Sequence, residues 1–354
     1  MDIAALRLRN QRLVDPDFKS PADVVAHLGA VQAQDYAAAK WAVGLRMRKA
    51  TDATVERAFN EGLILRTHVM RPTWHFVPPG DIRWMLDLTS ARVKSVLASY
   101  DRKHGHTADF YRRCNAIIGK ALRGGDFLTR RELGSRLEDG GIPRRGQRLG
   151  HILVNAELDG LICSGPRLGK QLTYALLEKR APKAKRLPRE EALAKLALRY
   201  FTSHGPAQLG DFAWWSGLSA REAARGLALI ERKLVRETAD GKTYWLSPRS
   251  DAAPIERPLA RLLSLFVEYA IAYKDRSDIS DRRDVERMLS LGNALQTVLV
   301  LNGKAAGTWK RAIGKDKIEI SLAPFRKLTK LERGAIESEA ERYGKFLGLP
   351  AVVA

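Results

Sequence analysis

Apolar residues recur at three- and four-residue intervals through 111–123, 130–138 and 148–159, and the pattern then changes to short apolar runs at 161–164 and 170–176. The first spacing predicts three helices and the second a two-stranded ribbon. Gly124-Gly125 closes the first helix, Gly140-Gly141-Ile142-Pro143 closes the second, and Gly165-Pro166-Arg167-Leu168-Gly169 supplies the turn of the ribbon. Thr129, with Glu132 three residues on, has the form of a capping box at the start of the second helix. In the third, Leu149, Ile152, Leu153, Ala156 and Leu158 fall mostly on one face. Three helices followed by a hairpin is the plan of a winged helix.

The same order returns further on. Residues 190–203, 208–216 and 220–232 read as helices, the last capped by Ser219 with Glu222 three on, and 234–238 and 242–246 form a ribbon about Ala239-Asp240-Gly241. Between the two repeats lies a basic connector with Pro182 and Pro188, where proline disfavours a continuous helix. The first hundred residues follow the plan less closely, with helices at 4–13, 21–31 and 54–60 and a hairpin at 66–77 turning near Arg71-Pro72. Beyond Pro258 the pattern becomes strand-rich. The runs 297–301 and 305–309 flank Asn302-Gly303, which suits a type I′ turn, 317–322 adds a strand, and 331–346 closes as a helix. These breaks divide the chain at 1–105, 106–182, 188–250 and 255–354, in a fold that is mainly α with β.

Composition changes the picture through charge. Lys and Arg number 61 against 40 Asp and Glu, a formal net charge of +21, on a chain whose residues are 45% hydrophobic. Such a chain can bury a core, so the cations belong to a folded surface that calls for a polyanion, with nucleic acid first and an anionic membrane second. Residues 101–200 hold 22 Lys and Arg against 11 Asp and Glu, so the middle of the chain carries +11 of the total and is expected to face that partner. Two cysteines, Cys114 and Cys163, offer neither a disulfide framework nor a zinc set, which fits a reducing compartment. The first ten residues lack a signal-peptide run, and the apolar stretch 262–273 is broken by Glu268 and is too short for a bilayer. The expectation is a cytoplasmic, nucleoid-associated protein with no membrane span.

Chemistry is sparse in the sequence. Arg144, Arg145 and Arg148 open the third helix of the middle unit, where they suit phosphate or groove contacts, or else form a solvated basic face. Gln32 and Gln34 stand near the end of the second predicted helix. Residues two apart do not share a helical face, so joint action requires the helix to end or distort there; the plain alternative is one capping and one exposed glutamine. Trp41, Arg46 and Arg48 follow, fit either for a nucleic-acid groove or for a packed helix. The other tryptophans read as core and interdomain packing rather than as base-stacking platforms. His68, His75, His104 and His106 lack metal-ligand spacing, so no metal is expected. Nor is there a phosphate-binding glycine loop or a serine elbow, which argues against an ATP-driven helicase and an esterase.

Several segments together resemble the bacterial tandem-winged-helix DNA glycosylases that unhook interstrand crosslinks. They are Gln32-Ala33-Gln34-Asp35 with Trp41 to Arg46, Arg66 to Val77, Asp211 to Leu218, Glu268-Tyr269 with Tyr273 to Arg276, and Gly307 to Arg311. The resemblance implies three winged-helix units and a β-rich C-terminal α+β domain around a DNA channel, and excision of bulky alkylated purines without a cofactor. It also implies catalysis by a Gln-x-Gln motif, here Gln32 and Gln34; Asp35, as the nearby carboxylate, is a lesser candidate on its chemistry. The expected DNA-contacting set is Arg46, His68, Arg71, Arg144, Arg145, Arg148, Lys170, Lys274, Arg276, Lys310 and Arg311. The partner is then double-stranded, alkylated or crosslinked DNA, met by a monomer with no obligate protein partner. One segment departs from the pattern: Ser264 and Val267 replace an expected proline and acidic residue, which puts in doubt a DNA-positioning role for 262–269. The competing reading is a non-enzymatic winged-helix DNA-binding protein or transcriptional regulator.

Overall fold

A computed structural model describes residues 1–125, 127–250, 255, 258–288 and 297–354. The predicted break between 250 and 255 lies outside the described residues. By internal contacts the chain forms two compact units: Met1–Glu56, Leu193–Trp215 and Ser219–Ala354 make one, and Arg57–Ala192 with Ser216–Leu218 makes the other. Helices predominate, and the strands gather chiefly in a C-terminal sheet, as the mixed α+β reading requires.

In the Arg57–Ala192 unit, helices Ala108–Leu122, Arg130–Asp139 and Arg148–Leu158 precede strands Ile162–Ser164 and Thr173–Leu176. The capping box at Thr129 is formed: its hydroxyl accepts the Glu132 amide while the Glu132 carboxylate accepts the amide of Thr129. A short strand, Leu128–Thr129, pairs with Thr173–Leu176 to complete a three-stranded wing sheet. Cys114, Ile118, Leu133, Leu137, Ile152, Ala156 and Ile162 are among the residues that close one core beneath it, burying the inward faces that the sequence periodicity marks.

Ahead of this winged helix, strands Leu65–Val69 and Arg71–Val77 form the expected hairpin. Its turn is at Met70, in the left-handed region at φ 65°, so Arg71 and Pro72 belong to the second strand rather than to the turn. The 23-residue helix Ile82–His104 has no counterpart in the sequence reading. Its fully buried residues are confined to the first half, from Ile82 to Val93, while Val96 is exposed and Leu97, Ala98 and Tyr100 are half-buried, which dilutes the helical period.

The other unit contains the second winged helix. Helices Arg189–His204, which begins across the unit boundary, Leu209–Ser216 and Ala220–Ala228 lead to the ribbon Val235–Ala239 and Lys242–Leu246. The predicted 220–232 helix stops at Ala228, followed by a 3-10 turn at Glu231–Lys233. Asp240-Gly241 in this ribbon and Asn302-Gly303 in the C-terminal hairpin both have two successive positive φ values, the requirement of a type I′ loop. The C-terminal sheet runs Ala351–Val353, Ile318–Pro324, Lys304–Ile313, Val298–Leu301, Ala260–Leu263, antiparallel except at the first pair, with helix Lys330–Leu347 packed on it. Strand Ala260–Leu263 was hidden in an apolar run whose period distinguishes neither helix nor strand.

Candidate active site

The chain around the two glutamines is set by where a helix stops. Pro21–Leu28 begins with Ser20 as cap and Pro21 in the first turn, and it ends at Gly29, which adopts φ 84°. A Cβ at Gly29 would lie 2.9 Å from Arg199 Cδ, so both the conformation and the space call for glycine. The predicted 21–31 helix is therefore three residues too long. Val31–Gln32 is extended and Gln34 lies in the bend after it, so a spacing of two, which a helix would split, here follows an extended stretch.

Gln32 is buried, at 7% exposure, and Gln34 is exposed. The Gln32 amide donates to Glu268 Oε1 at 2.9 Å, and the other carboxylate oxygen accepts the Trp215 indole N–H at 2.8 Å. Glu268 and Trp215 are fully buried. His204 Nε2 stands 3.6 Å from Glu268 Oε2, beyond hydrogen-bond reach, and burial lowers the affinity of its imidazole for a proton. A buried carboxylate thus fixes the backbone at Gln32. Asp35, the lesser catalytic candidate, caps helix Tyr36–Gly44: its Oδ1 accepts the Ala38 amide at 2.8 Å.

The segment that delivers Glu268 is anchored from several sides. Trp41 and Trp309 donate to the consecutive carbonyls of Leu262 and Leu263, each at 2.8 Å, and Ser264 donates to Ala38 O at 2.8 Å. Val267 is fully buried at the N-cap of Glu268–Ile271. Ser264 and Val267, the two departures from the family pattern, are therefore built into the packing that carries Glu268 to Gln32. In the sequence, Glu268 is marked only as an acidic residue interrupting an apolar run, which assigns it no role.

Two members of the expected DNA-contacting set are corrected by burial. Arg46 is fully buried, and its guanidinium donates to Gln11 O, Ala42 O and Gln11 Oε1 at 2.9, 2.7 and 2.7 Å. Desolvation pushes its pKa down to about 10. His68 is 3% exposed, its Nδ1 hydrogen-bonded to Glu157 and its ring against Trp74. Both residues serve the interior. Arg144, Arg145, Lys170, Lys274, Lys310 and Arg311 are exposed, and Arg71, Arg148 and Arg276 are half-buried. Arg144 pairs with Glu138 at 2.7 Å, Arg276 donates to Ala270 O at 3.0 Å, and Arg311 donates to the Tyr343 hydroxyl. Lys274 is placed by its own amide, which donates to Asp211 Oδ1 at 2.9 Å. Arg144 and Arg148 flank the start of one helix, and Lys170 lies in the turn of the wing that follows it.

Among the described residues no group of three His, Cys, Asp or Glu side chains is placed to hold a metal ion, and no helix is long and apolar enough to cross a membrane. The family model for AlkZ-like DNA glycosylases matches residues 25–346. A curated relative, the interstrand DNA cross-link repair glycosylase of Streptomyces sahachiroi, is 25% identical over 364 aligned positions, covering 98% of this chain and 96% of that protein. The solved structure of Streptomyces sahachiroi DNA glycosylase AlkZ is similar with a TM-score of 0.83 at 23% identity, covering 100% of this chain and 98% of that one.

Proposed function

We propose, on the premise that this chain belongs to the AlkZ-like DNA glycosylase family, that it hydrolyses the N-glycosidic bond of bulky N-alkylated purines in duplex DNA. Its similarity to a cross-link repair glycosylase extends the reading to purines joined across the two strands. The observation that carries it is the Gln-x-Gln stretch itself: one glutamine clamped by Glu268, one at the surface, and the adjacent Asp35 engaged in capping.

That set of groups suits the chemistry. Alkylation at N7 or N3 makes the purine a cationic leaving group, so it departs with the bonding electron pair and needs no proton from the enzyme. What remains at C1′ is an oxocarbenium-like sugar. Amide carbonyl dipoles stabilise that cation, and an amide hydrogen-bonded to water places the oxygen that adds to C1′, while the water's proton passes to solvent. A purine tied to the opposite strand cannot enter a closed pocket, and Gln34, exposed in its bend, suits an open site. Exposed Arg144, Arg145, Lys170, Lys274, Lys310 and Arg311, with half-buried Arg71, Arg148 and Arg276, supply the phosphate contacts. The reading carries with it action as a monomer, without cofactor or obligate protein partner, on nucleoid DNA.

The test is duplex DNA carrying N7-alkylguanine or a crosslink, incubated with the protein and assayed for alkali-labile abasic sites. Gln32→Ala and Gln34→Ala are each expected to slow excision by about a hundredfold or more, the scale of losing an oriented dipole, with DNA affinity retained. Undiminished excision in both variants overturns the assignment. Binding without excision by the wild type indicates a DNA-binding protein instead.

A further inference from the structure

The Arg57–Ala192 unit contains a cavity of ≈530 Å³ whose wall includes Arg66, Trp74, Arg130, Arg131, Arg144 and Tyr174. That volume falls within the roughly 300–1,000 Å³ typical of small-molecule sites and is far larger than a bare anion needs. Its charge is one-sided. Among the described residues the wall has one carboxylate, Glu157, which is 1% exposed and turned to the hairpin, where it accepts from the His68 amide at 3.2 Å, bonds the His68 ring and lies 3.4 Å from the Trp74 indole nitrogen. Arg130 and Arg131 have no ion pair among the described residues, and they stand in the first turn of a ten-residue helix whose positive end adds to their field.

Two glycines make the room. A Cβ at Gly150 would lie 3.3 Å from Arg130 Nη2, and a Cβ at Gly134 would lie 2.5 Å from Arg144 Cδ. The cavity also has a flat side: the Arg66 guanidinium lies 4.3 Å from the Trp74 ring centroid, with Leu149, Leu172 and Tyr174 as further apolar lining. Cations beside an aromatic or guanidinium plate form the arrangement by which proteins hold unpaired nucleotides, phosphate on the cations and base on the plate.

We propose that this cavity is a subsite for one unstacked nucleotide of a DNA strand, with its phosphate among Arg130, Arg131 and Arg144 and its base against the Arg66–Trp74 plate. That the strand is DNA rests on the proposed glycosylase activity; the nucleotide chemistry rests on the cavity. The subsite lies apart in sequence from Gln32 and Gln34 and acts as a grip on an unpaired residue, not in bond cleavage.

Calorimetric titration of the full chain at low salt, with a single-stranded DNA tetranucleotide, deoxyguanosine monophosphate, deoxyguanosine and inorganic phosphate, tests the proposal. The tetranucleotide is expected to bind at least as tightly as the mononucleotide, and nucleoside and phosphate each at least about tenfold more weakly, the worth of a lost charge-assisted contact. The double variant Arg130→Glu, Arg131→Glu is expected to lose at least about tenfold for both nucleotides. It stays folded, since acidic side chains favour a helix start, and circular dichroism checks this. Phosphate binding as tightly as the mononucleotide, a mononucleotide preferred over the tetranucleotide, or an unaffected double variant overturns the subsite. Failure of the wild type to excise alkylpurines, with nucleotide binding intact, overturns the proposed activity and leaves the nucleotide subsite standing.

Discussion

Both oxygens of Glu268 are engaged inside the protein, one by the Gln32 amide and the other by the Trp215 indole. Removing the carboxylate strands two buried donors, so Glu268→Ala is expected to lower the unfolding free energy by about 3 kcal/mol in urea titrations. Glu268→Gln keeps one carbonyl acceptor and turns an NH2 toward the other donor, and it is expected to cost about half as much. If Glu268 positions Gln32, both variants lower kcat more than they change KM; an equal stability loss with kcat intact identifies Glu268 as packing alone. His27 gives a separate prediction. Burial pushes its imidazole down to about 4 from an ordinary 6.5, with its Nε2 2.7 Å from Asn10 O. The unfolded chain therefore takes up a proton near pH 6.5 that the folded chain refuses until about pH 4. Stability is full above that window, falls as pH drops through it, and levels off below. After allowance for the partial exposure of His27, the loss is of order 2 kcal/mol. His27→Gln is expected to flatten part of the slope in urea titrations at pH 7.5 and 5; buried His204, shifted the same way, supplies a remainder.

At the scale of elements, the stop at Gly29 matters more than the helix before it. Gly29→Ala places a side chain at φ 84° and against Arg199, and it is expected to cost about 1–2 kcal/mol while displacing Val31–Gln32 and slowing excision. Thermal melts and abasic-site assays on the same samples check both halves. This stop also shows what a sequence can reveal. Both winged helices were legible because their third-position glutamates and glycine breaks are local signals, and Thr129 and Ser219 form the capping boxes their neighbours announce. The Gln-x-Gln stretch was legible through resemblance. The clamp on Gln32 was not, because its partner lies 236 residues away and no local period encodes that contact. Arg46 misled for a related reason: in sequence a buried arginine bonded to carbonyls looks the same as one waiting for phosphate, and only its 0% exposure separates them. The helix Ile82–His104 is not legible in the sequence because its second half has no fully buried residue to mark a face.

For the whole molecule, a net charge of +21 makes the proposed DNA binding a counterion-release problem. With about six phosphates neutralised, affinity is expected to fall on the order of a thousandfold from roughly 50 to 200 mM salt, measured by fluorescence anisotropy on duplex DNA. A flat response removes the electrostatic reading. The capping role of Asp35 has a consequence for selectivity under the proposed chemistry. With that carboxylate tied to a helix start, the glutamine stretch has no acid of its own to lend. An intact purine, which must be protonated before it can leave, gains nothing from such neighbours. Undamaged DNA would then be spared without being inspected base by base, because only a lesion that brings its own positive charge is ready to go.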